Sequence, residues 1–445
     1  MLPRVAKWKG AVRWVGNMDH FQLRDGALHC EEVPLAEIAA SVGTPVYVYS
    51  TATMCRHVAA LREALKPLHD PLIAYAVKAN ANRAVIATLA KAELGADVVS
   101  GGEYRRARAA GIPGDKIVFS GVGKTEDEMR IALEGGLFQF NLESMAEAEM
   151  LSGVATAMRR PAPVGFRVNP DVAAGSHAKI TTGAAENKFG IAIADAAGCY
   201  ARAAKLPGLH IQGVAVHIGS QLTSLDPFER AFTRIGGLIS QLRAAGHLIS
   251  VADLGGGLGV PYDPDQPPPP SPADYGAMVA RIADDWNVRL VFEPGRLIVG
   301  NAGVLLSRVI RVKPGAKAPF VILDAAMNDL MRPALYDAWH RIDAVRPTGK
   351  RRTANVVGPV CETGDTFATG REMDDVAAGD LVVFRTAGAY AAAMSSTYNS
   401  RPLTPEVLVD GSRWAVVRPR IDVDRLIATD RMPEWLTGCA DADTS

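Results

Sequence analysis

Between residues 70 and 300 one pattern repeats eight times: a short β-rich run ends in a polar residue or glycine, and a helix-compatible stretch follows. The runs span 73–78, 96–100, 116–120, 137–141, 164–169, 213–217, 251–255 and 289–293. Stretches such as 83–93, 125–133, 144–158, 227–245 and 272–286 have helical periodicity and length. Parallel neighbours need a crossover of a dozen residues or more, commonly a helix, so this alternation predicts a parallel sheet. Eight units in this span match the size of a (β/α)8 barrel, roughly 250 residues. A doubly wound open sheet is the competing arrangement, because alternation alone does not separate the two.

After residue 300 the rhythm changes. Runs at 304–312, 320–323, 354–357, 381–386, 406–409 and 414–418 follow one another without long helices, as in an all-β unit. Fragments at 11–15 and 27–30 read the same way. The expected organisation is therefore an α/β plus all-β chain. A TIM-like barrel occupies 36–300, and a β-sandwich or barrel-like domain is built from 1–35 together with 301–445. "DPDQPPPPSP" (263–272) reads as a stiff loop before the last barrel helix.

Bulk properties remove several classes of function. Forty-eight basic and forty-eight acidic residues cancel, so no global field favours nucleic acid or an anionic membrane. The one tight basic cluster, Lys350-Arg351-Arg352, reads as a solvated loop. "MLPRVAKWKGAVRWVG" has no apolar core of signal-peptide length, and no window offers eighteen consecutive apolar residues. The five cysteines (Cys30, Cys55, Cys199, Cys361, Cys439) form no C-x-x-C pair, and their odd number argues against a disulfide framework. A reducing cytoplasm is the expected location. The histidines show no H-x-x-x-H spacing, so no catalytic metal is expected. "GVGKT" (121–125) is half a P-loop, with Val118 where the first glycine belongs.

In a barrel the reacting groups gather at the carboxyl ends of the strands. Those ends carry Lys78, Ser100, Asn141, Arg167 with Asn169, His217, Gly255–Gly257 and Glu293. In "DLGGGLGVPY" (253–262) the glycines leave backbone N–H groups free to approach an anion such as a phosphate. A bare tight turn is the alternative reading. "EPGR" (293–296) closes the eighth strand, and the loops after strands seven and eight are where such barrels often bind phosphate. In "YAVKAN" (75–80) a lysine ends a buried strand, which suggests a Schiff base to pyridoxal phosphate. Burial would lower that lysine's pKa and favour the nucleophilic amine. A lysine snorkelling from a strand end to water is the alternative.

Taken together, "YAVKAN", "HIGSQ" (217–221), "DLGGGLG", "EPGR" and "GPVCETGDTF" (358–367) resemble the decarboxylase branch of the alanine-racemase-like, fold-type III pyridoxal phosphate enzymes. The resemblance covers about residues 30 to 425. "NKFGI" (187–191), "NDLMRPALYDAWH" (328–340) and "YNSRPLTPEVLVDG" (398–411) resemble the members of that branch that act on meso-diaminopimelate in lysine biosynthesis.

The resemblance implies that Lys78 carries pyridoxal 5'-phosphate, His217 stacks on its ring and Glu293 faces the ring nitrogen. Ser220, Gly255, Gly256 and Gly257, with the backbone of Gly295 and Arg296, would hold the phosphate. Asp97 and Arg167 would support the ring and Lys78. Arg296, Arg332 and Tyr336 would bind the distal carboxylate, for which arginine's planar fork is suited. Glu362 would bind the distal ammonium, and Tyr390 would touch cofactor and substrate. Cys361 would return a proton to carbon, a role for which a thiol is apt at neutral pH.

Cys361 and Glu362 lie far along the chain from Lys78, and in this family they come from a neighbouring subunit. A homodimer with shared sites is the expectation. The family usually has serine where this chain has Ala79. A decarboxylase of ornithine, arginine or lysine is the alternative; its substrates lack a distal carboxylate, which leaves the Arg332 and Tyr336 pattern without a purpose.

Overall fold

The computed structural model describes residues 19–173 and 188–437. Run 11–15, the 175–190 loop up to residue 187, and Cys439 fall outside the described residues. Eight parallel strands form the barrel: β1 (Leu72–Ala76), β2 (Gly95–Val98), β3 (Ile117–Phe119), β4 (Gln139–Leu142), β5 (Ala162–Asn169), β6 (Leu209–Ala215), β7 (Val251–Asp253) and β8 (Arg289–Phe292). Each pairs in parallel with the next, and β8 pairs with β1, so the sheet closes and the open-sheet alternative is excluded.

Every residue of β1 to β4 is buried, as expected for strands with helices outside and a filled bore inside. The period of two sorts them. Leu72, Ala74, Val118, Val251 and Val291 form their own cluster, which plugs the bottom of the bore. Ile73 and Tyr75 alternate with them and join the main core under the helices. Above the plug, Gln139 fills the bore because Gly165 and Gly213 stand beside it, and a methyl on either would overlap its amide.

The second unit is a sheet ordered Thr366–Asp374, Arg351–Val357, Phe320–Leu323, Gly303–Lys313, Val46–Ser50, Glu406–Asp410 and Arg413–Arg418. Leu381–Phe384 pairs with both Gly303–Lys313 and Ile342–Ala344. The small antiparallel ribbon that starts with Phe21–Arg24 and Ala27–Cys30 packs on this sheet. Phe21, Leu28 and Cys30 share a core with Val304, Leu306, Val383 and Val407.

Two expectations need correction. Val46–Ser50, which falls inside the expected barrel bounds of 36–300, lies in the middle of the second sheet between Gly303–Lys313 and Glu406–Asp410. The basic cluster is not a solvated loop beyond Lys350: Arg351 and Arg352 start a strand. There Arg351 pairs with Asp374 and Glu372, and Arg352 pairs with Asp375.

Candidate active site

The parity that sorts the apolar residues also aims the polar ones. Counting by twos from the plug leads from Leu72 and Ala74 to Lys78, from Val118 to Ser120, and from Gln139 to Asn141. The same count leads from Gly165 to Arg167, from Gly213 to His217, from Val251 to Asp253 and from Val291 to Glu293. These polar side chains line one cavity at the barrel mouth. An adjoining cavity shares Lys78, His217 and Glu293 and adds Ser220, Gly255–Gly257, Gly295, Arg296 and Tyr390.

Lys78 sits on a single 3-10 turn, Val77–Ala79, that continues β1. Tyr390 N donates to the Ala79 carbonyl at 2.8 Å, and Asn80 Nδ2 donates to the Gly388 carbonyl at 3.2 Å, so the second unit grips this turn from both sides. Lys78 Nζ donates to Asp97 Oδ2 at 2.9 Å. The expected lowering of the Lys78 pKa is not found. Burial acts downward, but the charges of Asp97 and Glu293 outweigh it and hold the ammonium form well above the ordinary lysine range. Asp97 is fully buried, and its Oδ1 finds no partner among the described residues.

Glu293 and Asp253 form a coupled acid pair. Burial and the neighbouring Asp253 and Asp97 carboxylates push Glu293 well above the usual carboxylate range, against the pull of Lys78. Burial pushes Asp253 up to about 6, although it accepts hydrogen bonds from Asn141 and Gly255 N. Ser120 Oγ lies 3.3 Å from Glu293 Oε1 and accepts from Asn141 Nδ2 at 3.1 Å.

His217 Nδ1 accepts from Gly256 N at 3.2 Å, which leaves the ring proton on Nε2. Burial and the charges of Arg167 and Lys78 keep this imidazole neutral, with its pKa far below the ordinary histidine value. Arg167 donates to Glu143 Oε1 at 3.3 Å and lies 4.7 Å from the Phe189 ring centroid. Glu143 also accepts from Gly121 N and Gly190 N. The sequence reading missed Glu143, although it lies two residues past Asn141 and shares its parity.

The glycine stretch does not leave its N–H groups all free, as the sequence reading expected: Gly255 N donates to Asp253 Oδ1, Gly256 N to His217 Nδ1 and Gly259 N to the Leu222 carbonyl. Gly255 and Gly257 adopt left-handed backbone, with φ of +65° and +114°. A methyl on Gly256 would overlap the Glu293 carbonyl oxygen, and one on Gly257 would overlap that of Gly219. The P-loop-like lysine has no such vacancy to serve: Lys124 is buried, pairs with Glu147 at 2.6 Å and donates to the carbonyls of Gly121 and Asn141.

Arg296 Nη2 donates to Ser220 Oγ at 3.1 Å, and its guanidinium lies 4.8 Å from the Tyr390 ring centroid. It also donates to the hydroxyl of Tyr262, whose ring receives Arg332 at 4.6 Å. Tyr262, the last residue of the "DLGGGLGVPY" stretch, thus joins two arginines, a role the sequence did not reveal. Arg332 opens the short helix Arg332–Tyr336, so Tyr336 ends the same turn of chain. Cys361 and Glu362 are exposed and line neither cavity. Cys361 N donates to Asn399 Oδ1, and the Tyr398 hydroxyl bonds Glu362.

Residues 51–300 match the profile of the family described as "Pyridoxal-dependent decarboxylase, pyridoxal binding domain". The chain is 54% identical over 418 residues to the diaminopimelate decarboxylase of Zymomonas mobilis, covering 94% of this chain and 99% of that one. It is also similar to the solved structure of a diaminopimelate decarboxylase from M. jannaschii in complex with L-lysine. There the identity is 34% and the TM-score 0.90, over 94% of this chain and 99% of that one. The corresponding enzyme from Helicobacter pylori, also complexed with L-lysine, gives 35% identity and a TM-score of 0.85 over 89% of this chain and 98% of that chain.

Proposed function

The chain belongs to the pyridoxal-dependent decarboxylases and, among them, to the diaminopimelate decarboxylases, and from that membership we propose that it converts meso-2,6-diaminopimelate to L-lysine and CO2 with pyridoxal 5'-phosphate held at Lys78. The observation that carries the reading is one constellation: an amine at the end of β1, a buried acid at the end of β8, and a cradle of glycine backbone between them.

The residues suit this cofactor. The glycines at 255–257, packed against backbone carbonyls where no Cβ fits, line one cavity with Ser220, Gly295 and Arg296 that can receive a phosphate. Glu293 faces the opposite end, where a ring nitrogen can donate to it. A pyridinium there would place a positive charge beside Glu293 and favour its ionised form. His217, neutral and fixed by Gly256 N, offers a flat face to the ring. Arg167 and Asp97 hold the surroundings of His217 and Lys78. When bound, the cofactor supplies an electron sink for the pair of electrons that departing CO2 leaves behind.

Substrate selection falls to side chains beyond the ring. Arg296 and Arg332 provide positive charge for the carboxylate that is retained, with Tyr336 beside them and Tyr390 between cofactor and substrate. Ornithine, arginine and lysine offer no anion to this pair, so the alternative substrates leave buried guanidinium charge unmatched.

Two assigned groups, Cys361 and Glu362, are exposed in their own subunit. We assign them to the active site of a neighbouring copy in a homodimer. There the partner subunit's Cys361 would give its Sγ proton to the carbon that loses CO2, and the partner subunit's Glu362 would bind the distal ammonium. Free Cys30, Cys55, Cys199 and Cys361 fit a reducing cytoplasm.

The test offers the cofactor-loaded protein meso-diaminopimelate, L-lysine, L-ornithine and L-arginine separately and measures CO2. Release is expected from the first alone, and release from ornithine at a similar rate defeats the assignment. Lys78→Ala should lose covalent cofactor capture and essentially all turnover. Mixing inactive Lys78→Ala and Cys361→Ala dimers, allowed to exchange subunits, should restore roughly a quarter of wild-type activity, because only one site of each mixed dimer is intact. A fully active monomer contradicts the shared site.

A further inference from the structure

We infer that His340 is a positioning residue for substrate selection: its Nε2 lone pair orients Arg332 toward the substrate carboxylate that is retained. The inference rests on the proposed role of Arg332 and goes one layer beyond it. His340 is 2% exposed and follows the helix that carries Arg332. Its Nδ1 lies 2.9 Å from the carbonyl oxygen of Arg385. A carbonyl can only accept, so Nδ1 carries the ring proton. Nε2 is then a bare lone pair, and it lies 2.7 Å from Arg332 Nη1, which donates to it.

The surroundings lock this arrangement. The His340 ring stands edge-on to Tyr262, with centroids 5.3 Å apart and planes at 84°. Tyr262 turns its face to Arg332. The backbone carbonyl of His340 accepts from Arg371 Nη1 at 2.9 Å. The charged groups that bear on the imidazole are the guanidiniums of Arg332, Arg296 and Arg371, all of which oppose a second proton on the ring.

The choice of an imidazole has a physical consequence. Arg332 is 6% exposed, and among the described residues no carboxylate lies within ion-pair range of it. A carboxylate in the place of His340 would direct the guanidinium equally well but cancel its charge and compete with the substrate. A neutral acceptor fixes the direction and leaves the full positive charge to be satisfied by an incoming anion. The selectivity of the site thus depends on a residue that need not touch the substrate.

The experiment uses cofactor-loaded dimer and compares His340→Leu, His340→Gln and Arg332→Gln. Two competing ligands are measured: L-lysine, which keeps the retained carboxylate, and cadaverine, the same diamine without it. His340→Leu should raise KM for meso-diaminopimelate and the inhibition constant of L-lysine by about tenfold or more, the range of one hydrogen bond to a charged group. Its kcat should fall far less, and cadaverine inhibition should not move. Glutamine, whose Oε1 can stand near the Nε2 position, should recover most of the loss.

A merely structural role for His340 predicts equal loss for both ligands and no rescue, and either result overturns the inference. If Arg332→Gln removes the preference for L-lysine over cadaverine while His340→Leu keeps it, the inference fails alone. If Arg332→Gln also keeps that preference, the substrate role of Arg332 fails first, and the inference falls with it.

Discussion

The charge on Lys78 before the cofactor arrives has a measurable cost. Asp97→Asn keeps the shape of the side chain but removes the negative charge 2.9 Å from Nζ. At an effective dielectric of about 20, that separation corresponds to roughly 6 kcal/mol of attraction. The Lys78 side chain is 35% exposed, so solvent screening reduces this to about 2–3 kcal/mol. Losing it lowers the lysine pKa by about 1.5–2 units, which raises the reactive free-amine fraction about 30- to 100-fold at pH 8. The assay mixes apoprotein with pyridoxal 5'-phosphate in a stopped-flow instrument and follows initial covalent capture. Wild-type capture should accelerate about tenfold per pH unit between pH 7 and 9, because the raised pKa leaves the amine scarce throughout that window. The variant should start far faster at pH 8, even if its final affinity is weaker. A variant that folds normally and captures the cofactor no faster than wild type refutes the electrostatic account of this lysine.

Gly256→Ala should cost about 1–3 kcal/mol of stability by overpacking against the Glu293 carbonyl and should weaken cofactor retention more than it lowers turnover of the loaded protein. Thermal melting and cofactor titration check both parts. Acid should destabilise the apoprotein through its buried neutral imidazoles. His340 is held down to about 3, by burial and then by Arg332. Below its unfolded value of about 6.5 the unfolded chain therefore binds a proton that the native state refuses, and stability falls as pH drops toward 3. Denaturant unfolding of His340→Leu should show a shallower acid slope, by up to about 1.4 kcal/mol per pH unit. The raised Asp253 and Glu293 act with the opposite sign, but they do so equally in both proteins.

The barrel was legible because most of its strands are buried on both faces, which writes short, largely apolar runs into the chain, each followed by a helix-length stretch. Its chemistry was partly legible for a related reason: inward parity carries each run past its apolar residues to one polar side chain at the mouth. What escaped notice depends on partners distant in sequence. Val46–Ser50 looks like any strand before a helix, and only its pairing with Gly303–Lys313 and Glu406–Asp410 shows where it belongs. Thr366–Asp374, "TFATGREMD", lacks clean alternation, and Ile342–Ala344 is too short to stand out from a turn. The charge state of Lys78 could not be read from "YAVKAN", because Asp97 and Glu293 arrive from the second and eighth strands. Tyr262 and His340 carried no local signal either, since a tyrosine after a proline and a histidine after a tryptophan read as ordinary packing.

The placement of Val46–Ser50 sets the order in which the polypeptide can mature. That ribbon emerges from the ribosome early, yet its two neighbours are made only after the whole barrel, and one of them only near the carboxyl end. Until Glu406–Asp410 appears, the nascent chain exposes hydrogen-bonding edges that other molecules can occupy. The segment after residue 300 expressed without Val46–Ser50 would keep an open slot between Gly303–Lys313 and Glu406–Asp410.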